Sequence, residues 1–246
     1  SIEPRQTAFF VSIDEMSQTL KIAIIGDYNF TYNSHHATNL ALEHSELFLE
    51  VDVSYYWIRL SEAVNMRPQA YSLYDGIWFA PGPFSNDFFL SGILSATLSQ
   101  NIPVLLTGES YKVLIELMIK QNNLNVNGEK LISDNLVAGD QFEPVRITPL
   151  TDEIKKLYST HSNIELTSSR YSFYPQLLTF LQDEIITKEG LDQFDEPEII
   201  TLKSHPFAMA TMFCPQISST RDMPHPLINS FIRSCLTQVK NTQETV

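Results

Sequence analysis

The segment that most constrains the fold is a short, unbroken apolar run, Lys21-Ile22-Ala23-Ile24-Ile25, which ends in Gly26-Asp27-Tyr28. A run without polar alternation reads as a strand buried on both faces, the form strands take in parallel sheets. Its Gly-Asp end marks a loop at the strand's carboxyl end. A helix is expected over Ser34–Leu49, with Ala41, Leu42 and Leu47 among its apolar residues. The β-branched and aromatic stretch Val51–Ile58 reads as a second strand.

The alternation then repeats. Tyr74–Ala80 reads as a strand running into the turn Pro81-Gly82-Pro83, Asp87–Ser99 as a helix, Ile102–Thr107 as a strand and Glu109–Gln121 as a helix. Strands alternating with helices predict an α/β fold: a doubly wound, mostly parallel sheet with helices on both faces. Beyond Asn122 the pattern loosens. Pro144–Ile147, Ile164–Thr167, Glu198–Lys203 and Ala208–Phe213 read as shorter strands, and His225–Val239 as a closing helix. No repeat or low-complexity linker divides the chain, so a single domain is expected over 21–241. Residues 1–20 read as an extension or edge strand, and 242–246 as a tail.

Composition limits the function classes. The chain has 246 residues, of which 43% are hydrophobic, enough for one sizeable core. Its formal net charge of −13 opposes nucleic acid and anionic lipid as partners. The two cysteines, Cys214 and Cys235, form no disulfide framework or metal knuckle. A reducing, cytoplasmic setting is expected, and no apolar run has the length of a membrane span. No His/Cys/Asp/Glu cluster has metal-ligand spacing and no Gly-rich phosphate loop is present, so neither metal nor cofactor is expected.

A set of short motifs in fixed order adds a resemblance. These are Lys21–Tyr28, Tyr74-Asp75-Gly76-Ile77 leading to Pro81-Gly82, Asn101-Ile102-Pro103-Val104-Leu105, Arg170-Tyr171, and Phe213-Cys214-Pro215-Gln216 followed by His225-Pro226-Leu227. Together they resemble the class I glutamine amidotransferase domain, closest to that of CTP synthase. They also resemble a stand-alone bacterial family related to the C-terminal region of CTP synthase. The resemblance implies a flavodoxin-like three-layer architecture.

It also implies a catalytic Cys on a strand-to-helix elbow, and a His and a Glu in a His-Pro-Glu strand end. In this chain the Cys position falls on Gly108, or on Thr107 in a register one residue shifted. The His position holds Cys214 and the Glu position holds Gln216. The family's Pro-Gly-Gly oxyanion turn is matched by Pro81-Gly82-Pro83, and Pro83 has no N–H to donate. Tyr174 stands where the Asn of the Arg-Tyr motif is expected.

Glutamine hydrolysis by the family's triad is therefore not expected. A cleft at the carboxyl ends of the strands is, with Gly82, Gly108, Glu109, Ser110, Arg170, His205, Cys214 and Gln216 as its candidate residues. Ser110 has two readings, a nucleophile or a helix-start cap. Arg170 reads as a cation that holds a ligand carboxylate or as a structural ion pair. His35 and His36 read as the rim of the cleft, and adjacent histidines on a helix diverge too far to share a metal.

Two functions remain in view. One is a binding module for a small polar metabolite or a protein partner. The other is an enzyme of altered chemistry on an amide or related small molecule, using Cys214, Glu109, His205 or Ser110. Ligand identity and oligomeric state are left open.

Overall fold

Apolar residues on both faces of the first strand are used on both faces. In the computed structural model, which describes residues 19–125, 127–137 and 141–244, β1 (Leu20–Ile25) lies inside an eight-stranded sheet. Ala23 and Ile25 enter one hydrophobic core while Ile22 and Ile24 enter the other. The expected edge strand or extension falls on residues 1–18, outside the described residues, and on the start of β1.

The chain continues through α1 (Asn33–Leu49), β2 (Val53–Ile58), α2 (Leu60–Ala63), β3 (Gly76–Phe79), α3 (Asp87–Leu98), β4 (Val104–Thr107) and α4 (Glu109–Gln121). Next come β5 (Glu143–Arg146), β6 (Thr148–Pro149), α5 (Asp152–Leu157), β7 (Ile164–Thr167) and α6 (Pro175–Phe180). The last elements are β8 (Ile186–Leu191), β9 (Pro197–Leu202), β10 (Ala208–Thr211), α7 (Pro215–Ser218) and α8 (Pro226–Glu244). The closing helix therefore runs to Glu244, and the expected tail from 242 is helical that far.

The strand order is β2-β1-β3-β4-β10-β9-β8-β6. From β2 to β10 neighbouring strands are parallel, and β9, β8 and β6 extend the sheet antiparallel. This is the mostly parallel sheet that the alternation predicts. β5 and β7 form a separate antiparallel pair.

One core packs α3 and α4 residues such as Leu94 and Leu114 against Ile77, Phe79, Val104 and Leu106. The other packs Leu42 of α1 and Leu227 and Phe231 of α8 against Trp78 and Leu105. Successive side chains of β3 and β4 thus divide between the faces, as the period of two requires. Gly76 admits α8 to the sheet, since a Cβ there would strike Cys235 Sγ and come within 2.8 Å of Phe231.

The order 2-1-3-4 has a topological switch between β1 and β3. In doubly wound sheets ligands bind outside the carboxyl ends of the strands at such a point. The loops that leave β1 and β3, with the elbow after β4, build the site.

Candidate functional site

β4 ends at Thr107, α4 begins at Glu109, and Gly108 makes the whole turn between them at φ 62°, ψ −129°. That backbone conformation is open to glycine and strained for any residue with a Cβ. A sharp strand-turn-helix of this kind is how an elbow presents a nucleophile. The geometry assigns the elbow position to Gly108. Thr107 is still in the strand, buried, with its Oγ1 accepting from Trp78 Nε1 at 3.1 Å.

The turn after β3 sits against this elbow. A Cβ on Gly108 would come 2.6 Å from Pro81 O and 2.9 Å from Pro81 Cβ. The Glu109 backbone N–H donates to Pro81 O at 2.9 Å. Gly82, at φ 92°, precedes Pro83 through a cis peptide bond. Its carbonyl accepts from His35 Nε2 at 2.8 Å. Because His35 Nδ1 accepts from Asn29 N–H at 3.0 Å, the ring proton sits on Nε2. Burial also pushes the His35 pKa down, which keeps the ring neutral. Rather than forming part of the rim, His35 is buried and ties the β1 loop to Gly82, while His36 is exposed.

Glu109 lies over Gly82, with its Oε2 accepting from Phe84 N–H at 3.3 Å. Burial raises its carboxyl pKa; the Phe84 bond partly opposes this. Ser110 is fully buried, and its Oγ accepts from Thr107 N–H at 2.8 Å. The same hydroxyl lies 2.8 Å from Thr107 O and 3.3 Å from Phe79 O. It is a local staple of the elbow, which favours the structural reading of Ser110 over the nucleophile.

Cys214 and Gln216 lie beneath the cleft. Cys214 is fully buried, its N–H donates to Leu166 O at 2.9 Å, and its Sγ is 4.0 Å from Ser168 Oγ. Burial pushes its thiol pKa up to about 12. Gln216 is buried at the start of α7, and its Nε2 donates to Thr38 Oγ1 of α1 at 3.2 Å.

Two candidates lie elsewhere. Arg170 reaches the region only through its backbone: its N–H donates to Asn135 Oδ1 at 2.9 Å. Its half-buried guanidinium stands 5.5 Å from the Phe194 ring and 3.9 Å from Glu143. Stacking on an aromatic face and a loose surface pair are what hold it. His205 precedes β10, at the end of the sheet opposite the elbow. There its Nδ1 accepts from Phe207 N–H at 3.2 Å, and burial lowers its pKa.

The cleft itself encloses about 400 Å3. The β1–α1 region supplies Thr31, Tyr32, Asn33 and Ser34, and the β3 turn supplies Pro81, Gly82 and Pro83. Glu109, Asn135, Phe142 and Ser168 complete the wall. Of the expected cleft residues only Gly82 and Glu109 line it. Gly108, Ser110, Cys214 and Gln216 form the closed structure below, because the turn after β3 has settled onto the elbow.

Sequence reasoning missed one buried constellation. Glu165 on β7 accepts from Tyr158 Oη at 2.9 Å, His225 Nε2 at 2.9 Å and Ser218 Oγ at 2.8 Å. His161 Nε2 lies 3.5 Å away. Burial pushes the Glu165 carboxyl up, but His225 and the contacts with His161, His225 and Ser218 outweigh it and hold it at about 2.

Ligand atoms of His161, Glu165 and His225 all lie within 4.8 Å of one another. The tautomer decides their role. His225 Nδ1 accepts from Leu227 N–H at 3.2 Å, which leaves the proton of the neutral ring on Nε2, directed at Glu165. Glu165 and His225 are satisfied as a hydrogen-bonded carboxylate and ring that tie β7 to α7 and to the start of α8, while neither ring nitrogen of His161 has a hydrogen-bond partner among the described residues. No sequence spacing signals it, since Glu165 and His225 are 60 residues apart.

No family model matches the chain. CTP synthase 1 of Saccharomyces cerevisiae is 26% identical over 249 residues, a match that covers 85% of this chain and 42% of that protein. CTP synthase of Bacillus subtilis is 25% identical over 248 residues, covering 89% and 45%. The chain thus spans less than half the length of these curated relatives. Among solved structures, the glutaminase domain of Trypanosoma brucei CTPS with bound acivicin superposes with a TM-score of 0.71. It is 19% identical, and the match covers 89% of this chain and 94% of that one. A ThuA-like protein of Bacteroides uniformis follows at a TM-score of 0.52 and 8% identity.

The molecule is an α/β domain with the fold of the CTP synthase glutaminase domain, and the comparisons support a glutamine amidotransferase-like relation. Within that class the relatives make it a CTP synthase glutaminase-like domain.

Proposed function

We propose that this domain is a catalytically degenerate amidotransferase-like module that binds a small polar ligand or a partner in the retained cleft. One observation carries the reading. The nucleophile position is a glycine whose Cβ space is taken by Pro81 O, and the amide that follows it is bonded to that same carbonyl. Acyl transfer through an elbow needs a nucleophile there and free donors for the oxyanion. The base and orienter positions, Cys214 and Gln216, are buried, and neither can accept a proton from a nucleophile near neutral pH.

The alternative, an enzyme of altered chemistry, would draw on Cys214, Ser110, His205 and Glu109. The first two are sealed, His205 is at the far end of the sheet, and only Glu109 faces the cleft. The free, buried cysteines support placement in a reducing compartment such as the cytoplasm.

The test is ammonia release from glutamine by the purified protein, run beside a working amidotransferase. Release at the background rate is expected. Turnover comparable to the reference enzyme would overturn the reading.

A further inference from the structure

We infer that the cleft recognises a small organic cation carrying a primary ammonium, held by the Glu109 carboxylate. This deepens the binding-module reading and rests on it. Among the described residues Glu109 is the one charged side chain in the cleft wall. Among the described residues only Phe84 N–H bonds to this carboxylate, through Oε2, and Oε1 is left for a ligand. Lys112, one turn further along α4, is engaged by Glu116 at 3.3 Å instead. The carboxylate therefore reaches the cleft with one backbone hydrogen bond and no ion pair among the described residues, and the Lys112 charge acts on it only at a distance.

The rest of the wall suits the same ligand. Thr31 and Asn33 carry oxygen acceptors for N–H donors, and the wall includes the rings of Tyr32 and Phe142, a residue type that attracts cations. Among the described residues no cationic side chain lines the cleft, so a dicarboxylate or phosphate ligand would find no counter-charge there. Arg170, the residue that could have supplied one, is stacked on Phe194. The fit is to a compact ammonium with hydroxyl or amino substituents, a few non-hydrogen atoms long.

Isothermal titration of the whole chain tests this with ethanolamine and putrescine as cations, glutaramide as a neutral diamide and glutarate as a dianion. The two amines are expected to bind saturably and glutarate not at all. Glu109→Gln should weaken amine binding at least about ten-fold, the loss of one charge-assisted contact. Glu109→Asp, which keeps the charge, should retain more of the binding than Glu109→Gln. Asp152→Asn, at an exposed site on α5, controls for diffuse attraction to the acidic surface and should change nothing.

Amine binding unchanged by Glu109→Gln overturns the inference, and so does the absence of amine binding. Saturable binding of glutaramide or glutarate without amine binding overturns it too but leaves the binding-module reading standing. Ammonia release from glutamine is the separate result that removes that reading.

Discussion

The backbone N–H of Glu109 donates to the carbonyl of Pro81 at 2.9 Å. In strand-turn-helix elbows the amide after the nucleophile supplies an oxyanion donor. Here that donor is bonded within the protein, so the turn after β3 and the start of α4 close over the place where a substrate carbonyl would sit. The glycine at the elbow and the bonded donor are thus one structural event. Without a Cβ on Gly108, Pro81 approaches, and once Pro81 has approached there is no room for a Cβ.

A thiol placed at the elbow is therefore not expected to confer glutamine hydrolysis. Gly108→Cys places a Cβ at φ 62° and 2.6 Å from Pro81 O. The backbone strain costs about 1–3 kcal/mol before the clash is counted. Urea denaturation should show a loss of at least that size, and ammonia release from glutamine should stay at background. A variant as stable as the parent that hydrolyses glutamine would show that the turn yields easily.

Cys214 should be inert in the native state. Its thiol is buried and pushed up to about 12, and the Cys235 thiol is also buried and raised by desolvation. Near neutral pH neither offers appreciable thiolate. Both should react with a disulfide reagent only on unfolding, with indistinguishable rates in urea. Fast labelling of native Cys214, blocked by a small molecule, would favour the enzyme reading.

Acid should attack the fold through the Glu165 cluster. The folded pKa of Glu165, about 2, lies below its ordinary value of 4.5. Its stabilisation is therefore present above about pH 4.5 and is lost as pH falls toward 2. His225 acts in the same direction: burial lowers its pKa below 6.5, so protonation below that value opposes folding. Glu165→Gln should lower stability near pH 7, and the deficit should shrink as pH falls below 4.5. A deficit independent of pH would assign the role to packing alone.

Glu198 has the opposite sign. It is buried on β9 with no hydrogen-bond partner for either carboxylate oxygen among the described residues, and burial raises its pKa well above 4.5. Such a group contributes most below its unfolded pKa, and its contribution is lost as pH rises toward the folded value. Each pH unit in that interval costs about 1.4 kcal/mol. Glu198→Gln should thus be more stable than the parent near pH 8, with the difference falling toward zero near pH 4. Chemical denaturation at both values decides it, and a difference that does not change with pH refutes it.

The sequence by itself determined the sheet. The unbroken apolar runs of β1, β3 and β4 leave no polar face to expose, so each strand must lie between two layers of helices, and the order of motifs follows the order of strands. The sequence also shows that Gly108 or Thr107, Cys214 and Gln216 stand where the resemblance implies a triad. Only the tertiary structure decided how those residues are placed. Whether Thr107 or Gly108 is the elbow depends on one pair of backbone angles. The closure by Pro81 depends on an approach between segments that are 28 residues apart, seen in its bond to Glu109. His205 and Cys214 are close in sequence, but β10 runs between them and carries them to opposite ends of the sheet. Glu165 and His225 are distant in sequence and meet because β7 and the start of α8 converge. A strand or helix pattern reports which face of an element is buried. What that face meets is set by the packing of elements against one another, and there this protein's cleft was closed at its floor and left open at Glu109.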